Sequence, residues 1–456
     1  MPIKLYNTLS RRVQTFKPIK KKHVGIYTCG PTVYNYAHIG NLRTYVFEDL
    51  LKRVLLLNGY RVKHVMNITD VGHLTSDADV GEDKMEKSAK REKKTAMEIA
   101  DFYTLAFKKN LTDLNILPPT KWCKATDHIK EQIKLVKILE KKGYTYRIND
   151  GIYFDSSKLR DYGRLARLEK QNIKAGARVK MKNKKNATDF ALWKFSSKGS
   201  SRQMEWDSPY GVGFPGWHLE CSAMSIKFLG QPFDIHCGGI DHIPVHHVNE
   251  MAQSETAFDK PLANYWMHGE FLLIKDTKMA KSDNNFITLQ TIKDNNVHPL
   301  AFRYFLLQTH YRKQLNFTMQ ALKSAANGLQ HLYNSARTAK KALNNDDKIK
   351  REFLGLVNND LYLPGSIALI WDKLKSGKLS QSALLDCDKV LGLDIEKNTT
   401  QVIKHIPQAI KKIVNQRNKA RKEKNWQSSD ALRIELESMG YKVADTANGT
   451  IATKNE

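Results

Sequence analysis

The residues that could do chemistry fall in a few separate stretches. In CGPTVYNYAHIGN, residues 29–41, Cys29 is a potential metal ligand and His38 follows nine positions later, directly before Ile39-Gly40-Asn41. A histidine and a glycine where a strand runs into a helix suit an anion. Free backbone N–H groups and the helix dipole favour negative charge there. Gly40 lets a ligand approach the main chain, and an imidazole can donate to phosphate oxygens as charge shifts in a transition state. Taken alone, so short a string is more often an ordinary helix start. In KMAKS, residues 278–282, Lys278 and Lys281 are three apart on a polar loop and could both reach a polyphosphate. In so lysine-rich a chain, a solvated loop is the simpler reading. His246 and Glu250 are four apart, so on a helix they share a face. With Cys29 and Cys221 they form an acceptable zinc donor set. The spacing leaves this open: no pair is a CxxC, His247 competes with His246, and Cys237 competes with both other thiols.

These residues need elements to hold them. VGIYT, residues 24–28, reads as a short buried strand. A helix is expected from about His38 to Asn58, with Leu42, Val46, Leu50, Val54 and Leu57 near one face and Gly59 at its C-terminal cap. RVKHVMNI, residues 61–68, is a second strand, which makes a βαβ unit. Ligands in such sheets bind beyond the carboxyl ends of the strands, where CGPTVYNYAHIGN lies. Thr95 and Glu98 read as a capping box before a helix carrying Ile99, Phe102, Tyr103, Ala106 and Phe107. Across 120–215 the pattern weakens into polar loops, as expected of an inserted subdomain. PFDIHCGGI, residues 232–240, is a strand ending in glycines, and 244–258 reads as a helix. From 297 to 400 the pattern is mostly helical. A basic segment at 404–424 leads to a helix over 430–439 closed by Gly440, then a YKVAD strand and an Asn448-Gly449 turn.

Bulk properties narrow the function class. With 456 residues, roughly three domains are expected. No apolar run is long enough for a membrane span, and the basic N-terminal stretch lacks the apolar centre of a secretory signal. The net charge of +27, from 74 Lys+Arg against 47 Asp+Glu, suits a polyanionic partner, nucleic acid first. Five scattered cysteines argue against a disulfide framework and for a reducing cytoplasm.

The pairing of His-Ile-Gly-Asn with a distant Lys-Met-Ala-Lys-Ser resembles the two-part signature of class I aminoacyl-tRNA synthetases. Longer blocks sharpen this. LYNTL, YTCGPTVYNYAHIGNLRTYVFEDLLKR, NITDVGHLTSDADVGEDKM, GWHLECSAMS, FDIHCGGIDHIPVHHVNEMAQSE, YWMHGEFLLIKDTKMAKS and RNKARKEKNWQSSDALR are similar to the cysteinyl-tRNA synthetase family over nearly the whole chain. The sequence departs from the family pattern at Asn41 and Ala280 within the two signatures, at Cys237 where a glycine is usual, and at Ala452 where a tryptophan is usual.

The resemblance implies an α/β fold: a Rossmann-like parallel-sheet catalytic domain with an inserted subdomain, then an α-helical bundle and a small mixed α/β C-terminal domain. The expected divisions are 1–120 and 213–270 for the catalytic halves and 121–212 for the insert. The lysine-loop region is expected over 271–315, the bundle over 316–400 and the anticodon-binding domain over 401–456. The implied reaction is activation of L-cysteine by ATP and transfer to tRNA(Cys), in a cytoplasmic monomer without membrane contact. The family's metal pattern falls on Cys29, Cys221, His246 and Glu250, with zinc selecting the thiolate and Mg²⁺ accompanying ATP. His38, Gly40, Asp241 and Lys281 are implied for ATP, and His38, Asn41, Lys278 and Lys281 for catalysis. Gly30, Thr32, Thr69, Trp217 and His236 are implied for the cysteine pocket, and Arg421, Trp426, Asp430 and Asp445 for tRNA. Two other functions would use parts of this pattern. An amino-sugar–cysteine ligase shares the catalytic half and zinc but lacks the anticodon end. A synthetase-like RNA-binding protein without catalysis should have lost the lysines or metal ligands.

Overall fold

The computed structural model describes residues 1–72, 83–168, 184–196, 202–274, 277–278, 286–404, 407–446 and 449–454. Lys281, Ala280 and Asn448 lie outside the described residues. The chain opens with a hairpin of β1 (Lys4–Asn7) and β2 (Arg12–Thr15), then enters the βαβ unit: β3 (His23–Thr28), α1 (Ile39–Leu57) and β4 (Arg61–Ile68). Helices α2 (Lys84–Glu92) and α3 (Ala96–Asp113) precede β5 (Lys121–Lys124) and α4 (Ile129–Lys141). Next come β6 (Thr145–Ile148), β7 (Gly151–Phe154), β8 (Phe190–Phe195), β9 (Gly213–Pro215), α5 (Trp217–Leu229), β10 (Phe233–Gly239), α6 (Val248–Phe258) and β11 (Ala263–Gly269).

The central sheet has the order β11-β10-β3-β4-β5, and every pair is parallel. Both faces are covered, so the strands are almost continuously buried rather than alternating in polarity. Alternation instead sorts residues between two cores. Ile26, Met66, Ile235 and Met267 join the α1 side, whereas Tyr27, Val65, Phe233 and Trp266 join the side of α5 and α6. The chain leaves β3 toward β4 on one side and later returns through β10 on the other. That reversal opens a crevice beyond the carboxyl ends of β3 and β10.

Helix α1 starts with a reciprocal capping box: His38 Nδ1 accepts from Asn41 N–H at 3.1 Å, and Asn41 Oδ1 accepts from His38 N–H at 3.3 Å. It ends at Gly59, whose φ of +79° is the left-handed turn that glycine makes without strain. Thr95 and Glu98 cap α3 in the same reciprocal way. The weakly patterned region is more regular than its sequence suggests. Strands β6-β7-β8-β9 form an antiparallel sheet packed with α4 around Leu139, Phe154, Leu192 and Trp193. The expected start of the insert at 121 falls on β5, which pairs with β4, so the parallel sheet runs on to Lys124. The insert's sheet likewise runs past 212 to Pro215.

Beyond β11, β12 (Leu272–Ile274) pairs with β13 (Thr277–Lys278). After α7 (Leu289–Asp294) and α8 (Pro299–Leu307), β14 (Leu315–Phe317) runs parallel to β12. The expected helical region follows as α9 (Met319–Thr338), α10 (Asp346–Val357), α11 (Leu363–Lys375), α12 (Gln381–Leu391) and α13 (Ile395–Lys404). A final small unit comprises α14 (Gln408–Lys422), α15 (Trp426–Ser438), β15 (Tyr441–Thr446) and β16 (Gly449–Lys454). Its core is Ile410, Ile413, Leu436, Tyr441, Val443 and Ala452. The helix expected at 430–439 therefore begins four residues earlier, at Trp426, because Asn425 caps it through Ser428 N–H. No described helix is long and apolar enough to cross a membrane.

Candidate active site and metal centre

The crevice holds a cavity of about 370 Å³. Cys29, Gly30, Thr32, His38, Asn41, Trp217 and Asp241 all line it. Gly30 has a specific reason to be glycine. Its N–H donates to Asn67 Oδ1 at 2.8 Å, and a Cβ there would lie 1.7 Å from Asn67 O. The segments after β3 and β4 stay together past the sheet through a Thr32–Thr69 bridge. Thr69 is buried, donates to Glu220 Oε2 at 3.1 Å and accepts from Asn67 Nδ2 at 3.0 Å. Gly40 lies in the first turn of α1, directly behind the His38 cap.

Behind Cys29 the charge concentrates. Ligand atoms of Cys29, Cys221, His246 and Glu250 lie within 4.8 Å of one another, and all four residues are buried. Three elements deliver them: the end of β3, the first turns of α5, and the start of α6. The expected regular helix over 244–258 is interrupted. Ile243–His247 forms a π-helical turn, with Pro244 in its first turn, and α-helix begins at Val248. The wider turn still brings His246 Nε2 to 3.0 Å from Glu250 Oε1. A second set, Cys29, His236, His247 and Glu250, meets the same 4.8 Å limit. His236 Nε2 is 3.1 Å from Glu250 Oε2, and His247 Nε2 is 3.4 Å from Cys29 Sγ. The sequence had weighed His247 against His246; folding places both around one carboxylate.

Cys237 drops out for a simple reason. Adjacent residues of a strand face opposite sides, so His236 faces Glu250 while Cys237 packs in the α1 core. It is a buried thiol with its pKa raised by burial.

Outer partners orient the imidazoles. His246 Nδ1 lies 3.0 Å from His218 Nδ1, and the Trp217 ring centroid is 4.4 Å from that of His246. His247 Nδ1 is 2.7 Å from His268 Nε2, and His268 Nδ1 is 2.8 Å from Thr8 Oγ1. Burial keeps His247 and His268 neutral. Burial also opposes charge on His246, but Glu250 and Cys221 outweigh it and push that imidazole up to about 10. The facing His236 and His246 likewise overcome burial at Glu250 and hold it well below the ordinary carboxylate range. The Cys29 thiol draws Cys221 down to about 7, against the effect of burial. Two thiols, an imidazole and a carboxylate in a dry pocket are a donor set suited to a soft or borderline metal ion.

The family can now be read from comparison. Residues 15–327 match the model of the class I (C) tRNA synthetase catalytic domain. Cysteine–tRNA ligase 1 of Burkholderia lata is 52% identical, covering 98% of this chain and 96% of that protein. Cysteine–tRNA ligase of Treponema denticola is 42% identical, covering 99% of each. The chain belongs to the cysteine–tRNA ligase family. Its fold is also similar to Mycobacterium tuberculosis methionyl-tRNA synthetase solved with methionyl-adenylate, with a TM-score of 0.57 at 15% identity, over 90% of this chain and 96% of that one.

As a class I synthetase, the chain carries its remaining expected residues far from the cavity in sequence. Lys278 pairs with Leu273 across the β12–β13 turn. In the terminal unit, Trp426 is 57% exposed, so it is no core anchor, and Asp430 is exposed beside it. The Arg421 guanidinium lies 6.0 Å from the Trp426 ring centroid. Asp445 is already engaged, by Arg421 at 3.0 Å and by buried Arg417. Ala452 fills the small core. Sequence reading passed over Phe286, whose ring meets His38 edge-on at 5.7 Å, and Glu220, a carboxyl raised well above its usual range by burial. Only the fold signals either.

Proposed function

We propose that the chain joins L-cysteine to tRNA(Cys) in two steps. A carboxylate oxygen of cysteine attacks the α-phosphorus of ATP, forming cysteinyl-adenylate as the bond to pyrophosphate breaks. A terminal ribose hydroxyl of the tRNA then attacks the carbonyl carbon and AMP leaves. One observation carries this reading: Cys29, which belongs to the buried Cys/His/Glu cluster, and the His38-capped start of α1 line one cavity.

The two ends of that cavity suit the two small substrates. Cys29, Cys221, His246 and Glu250 are the residues that would hold zinc. Zinc, when bound, would favour the thiolate of cysteine over the hydroxyl of serine, a difference that a hydrophobic pocket resolves poorly. Trp217 and Thr32 close the cysteine side, while Gly30 removes bulk. His236 and Thr69 support it from behind. At the other end, the positive end of the α1 dipole and Gly40 in its first turn suit phosphate, with His38 and Asn41 capping the turn. Asp241 faces the nucleotide or the substrate amine. Lys278 and Lys281 are assigned to the departing pyrophosphate, and Mg²⁺ to the ATP phosphates. Class I chemistry of this type rests on positioning and charge stabilisation.

For tRNA, exposed Lys411, Lys412, Lys419 and Lys422 on α14 suit phosphate contacts. Trp426 offers a ring face, and Asp430 an acceptor, to an unstacked base. Asp445 acts by holding Arg421. The amino-sugar ligase and the non-catalytic RNA binder gain no support. The relatives are named as cysteine–tRNA ligases and span the C-terminal unit as well. Buried, unpaired thiols suit a reducing cytoplasm.

The test is cysteine-dependent ATP–pyrophosphate exchange, followed by charging of tRNA(Cys). Cys221→Ser should lower exchange by more than the ~100-fold that even outer-shell metal partners are worth. Exchange that survives both this substitution and a strong chelator would sink the metal-based reading.

A further inference from the structure

The cavity does not end at His38. Its wall continues through Tyr34, Asn35 and Tyr36 to Lys84, Tyr103 and Phe107. Here the loop after β3 meets α3 in a cluster of rings. The Tyr36 centroid lies 5.0 Å from Tyr103 at 89° and 6.1 Å from Phe102 at 72°, and Phe102 lies 5.1 Å from Tyr103. Tyr103 is the anchor: it is buried and its hydroxyl donates to Glu92 at 2.6 Å. Tyr36 and Phe102 instead stand 44% and 40% exposed, and Leu105, one turn on from Phe102, is 67% exposed.

Cations border these rings. Lys94 Nζ sits 4.4 Å from the Phe102 centroid. Lys90, Arg91 and Lys93 are exposed alongside. Residues 84–94 hold six Lys or Arg against Glu86 and Glu92. Both acids are engaged, Glu86 by Gln203 N–H and Glu92 by Tyr103 and Arg91. The rim of the cavity is thus positive and carries part-exposed rings.

Charge of one sign on this rim suits a polyanion. A duplex offers phosphates but keeps its base faces stacked inside. A single strand offers both phosphates and base faces, which suits aromatic platforms flanked by cations. We propose that Tyr36, Phe102 and Lys94 form a stacking platform for the unpaired 3′ end of the tRNA, placed so that its terminal ribose reaches the adenylate. This inference rests on the reading of the chain as a tRNA ligase. Phe102 is a positioning residue: it orders the strand and touches no reacting atom.

The test compares two assays on the full-length protein. Phe102→Ala should raise KM for tRNA(Cys) about tenfold while leaving cysteine-dependent pyrophosphate exchange unchanged. Phe102→Trp should restore the tRNA KM, since it returns a ring face. Lys94→Glu should weaken tRNA binding more at low salt than at high salt. With tRNA trimmed of its unpaired 3′ nucleotides, wild type and Phe102→Ala should bind alike. An unchanged KM for tRNA, an equal loss on trimmed tRNA, or a shift in oligomeric state without a tRNA effect would each overturn the proposal. Failure of exchange in the unsubstituted protein would instead remove the underlying function.

Discussion

At Glu250, three imidazoles and a thiol lie within 3.8 Å of one buried carboxylate. Its neighbours were legible from sequence only as a set of candidates. The choice between Cys237 and its rivals needed the pairing of β10, because side-chain direction follows from strand position. His64 was not legible at all. It is a buried β4 residue with Nε2 2.9 Å from Thr28 Oγ1, and among the described residues Nδ1 has no hydrogen-bond partner. Burial, helped by Lys52, pushes its pKa down to about 3 from an ordinary 6.5. The unfolded chain therefore takes up a proton near pH 6.5 that the folded chain refuses until about pH 3. Stability from this residue is present above that window and falls as pH drops through it. The thermal midpoint should decline on acidification in the wild type and decline less in His64→Gln. Equal declines would remove His64 from the account.

At the scale of elements, periodicity was a good guide where an element has one buried stripe. The strands at 24–28 and 61–68, helix α1 and its cap at Gly59, and the Thr95 capping box all follow from local pattern. Two features escaped it. The antiparallel sheet at 145–215 joins a short hairpin to two short strands far along the chain, so no local period marks it. The π-helical turn at 243–247 leaves the spacing of His246 and Glu250 unchanged, and pattern alone reads it as ordinary helix. The close approach of the β3 and β4 ends gives a sharp prediction. Gly30→Ala forces a methyl group against Asn67 O and must part the two strand ends. Cysteine-dependent exchange should fall at least about tenfold, with KM for cysteine rising, since misplacement of about 1 Å can cost more than that. Exchange kinetics at wild-type values would show that the strand ends yield without consequence.

For the whole molecule, a buried ion cluster ties catalytic layer to bundle. Asp49 on α1 accepts from Arg53 at 2.7 Å and from Arg303 on α8 at 2.6 Å, and its other oxygen accepts from Leu117 N–H at 2.9 Å. Arg303 is fully buried and also donates to the backbone at Leu114 and at Leu391. Three segments distant in sequence meet at one carboxylate, and Arg303 ties in a fourth at Leu391. Removing that carboxylate strands two guanidinium groups. Asp49→Ala should lose about 3–5 kcal/mol of stability, read by chemical denaturation, with Asp49→Asn losing less. A denaturation midpoint for Asp49→Ala matching wild type would show that the cluster is relieved by water. The class I synthetase fold was readable from the resemblance. This junction was not, because nothing local distinguishes a structural aspartate from a surface one.

The cap at the start of α1 carries a consequence for where a proton sits. His38 Nδ1 accepts the Asn41 N–H, so that nitrogen must present a lone pair. In a neutral ring the single N–H is then on Nε2, the atom at the far side of the imidazole from the helix. A helix-starting hydrogen bond thereby selects one tautomer and makes Nε2 a donor. Doubly protonating the ring would break the cap. The same contact that begins the helix thus fixes which nitrogen of the imidazole carries its hydrogen.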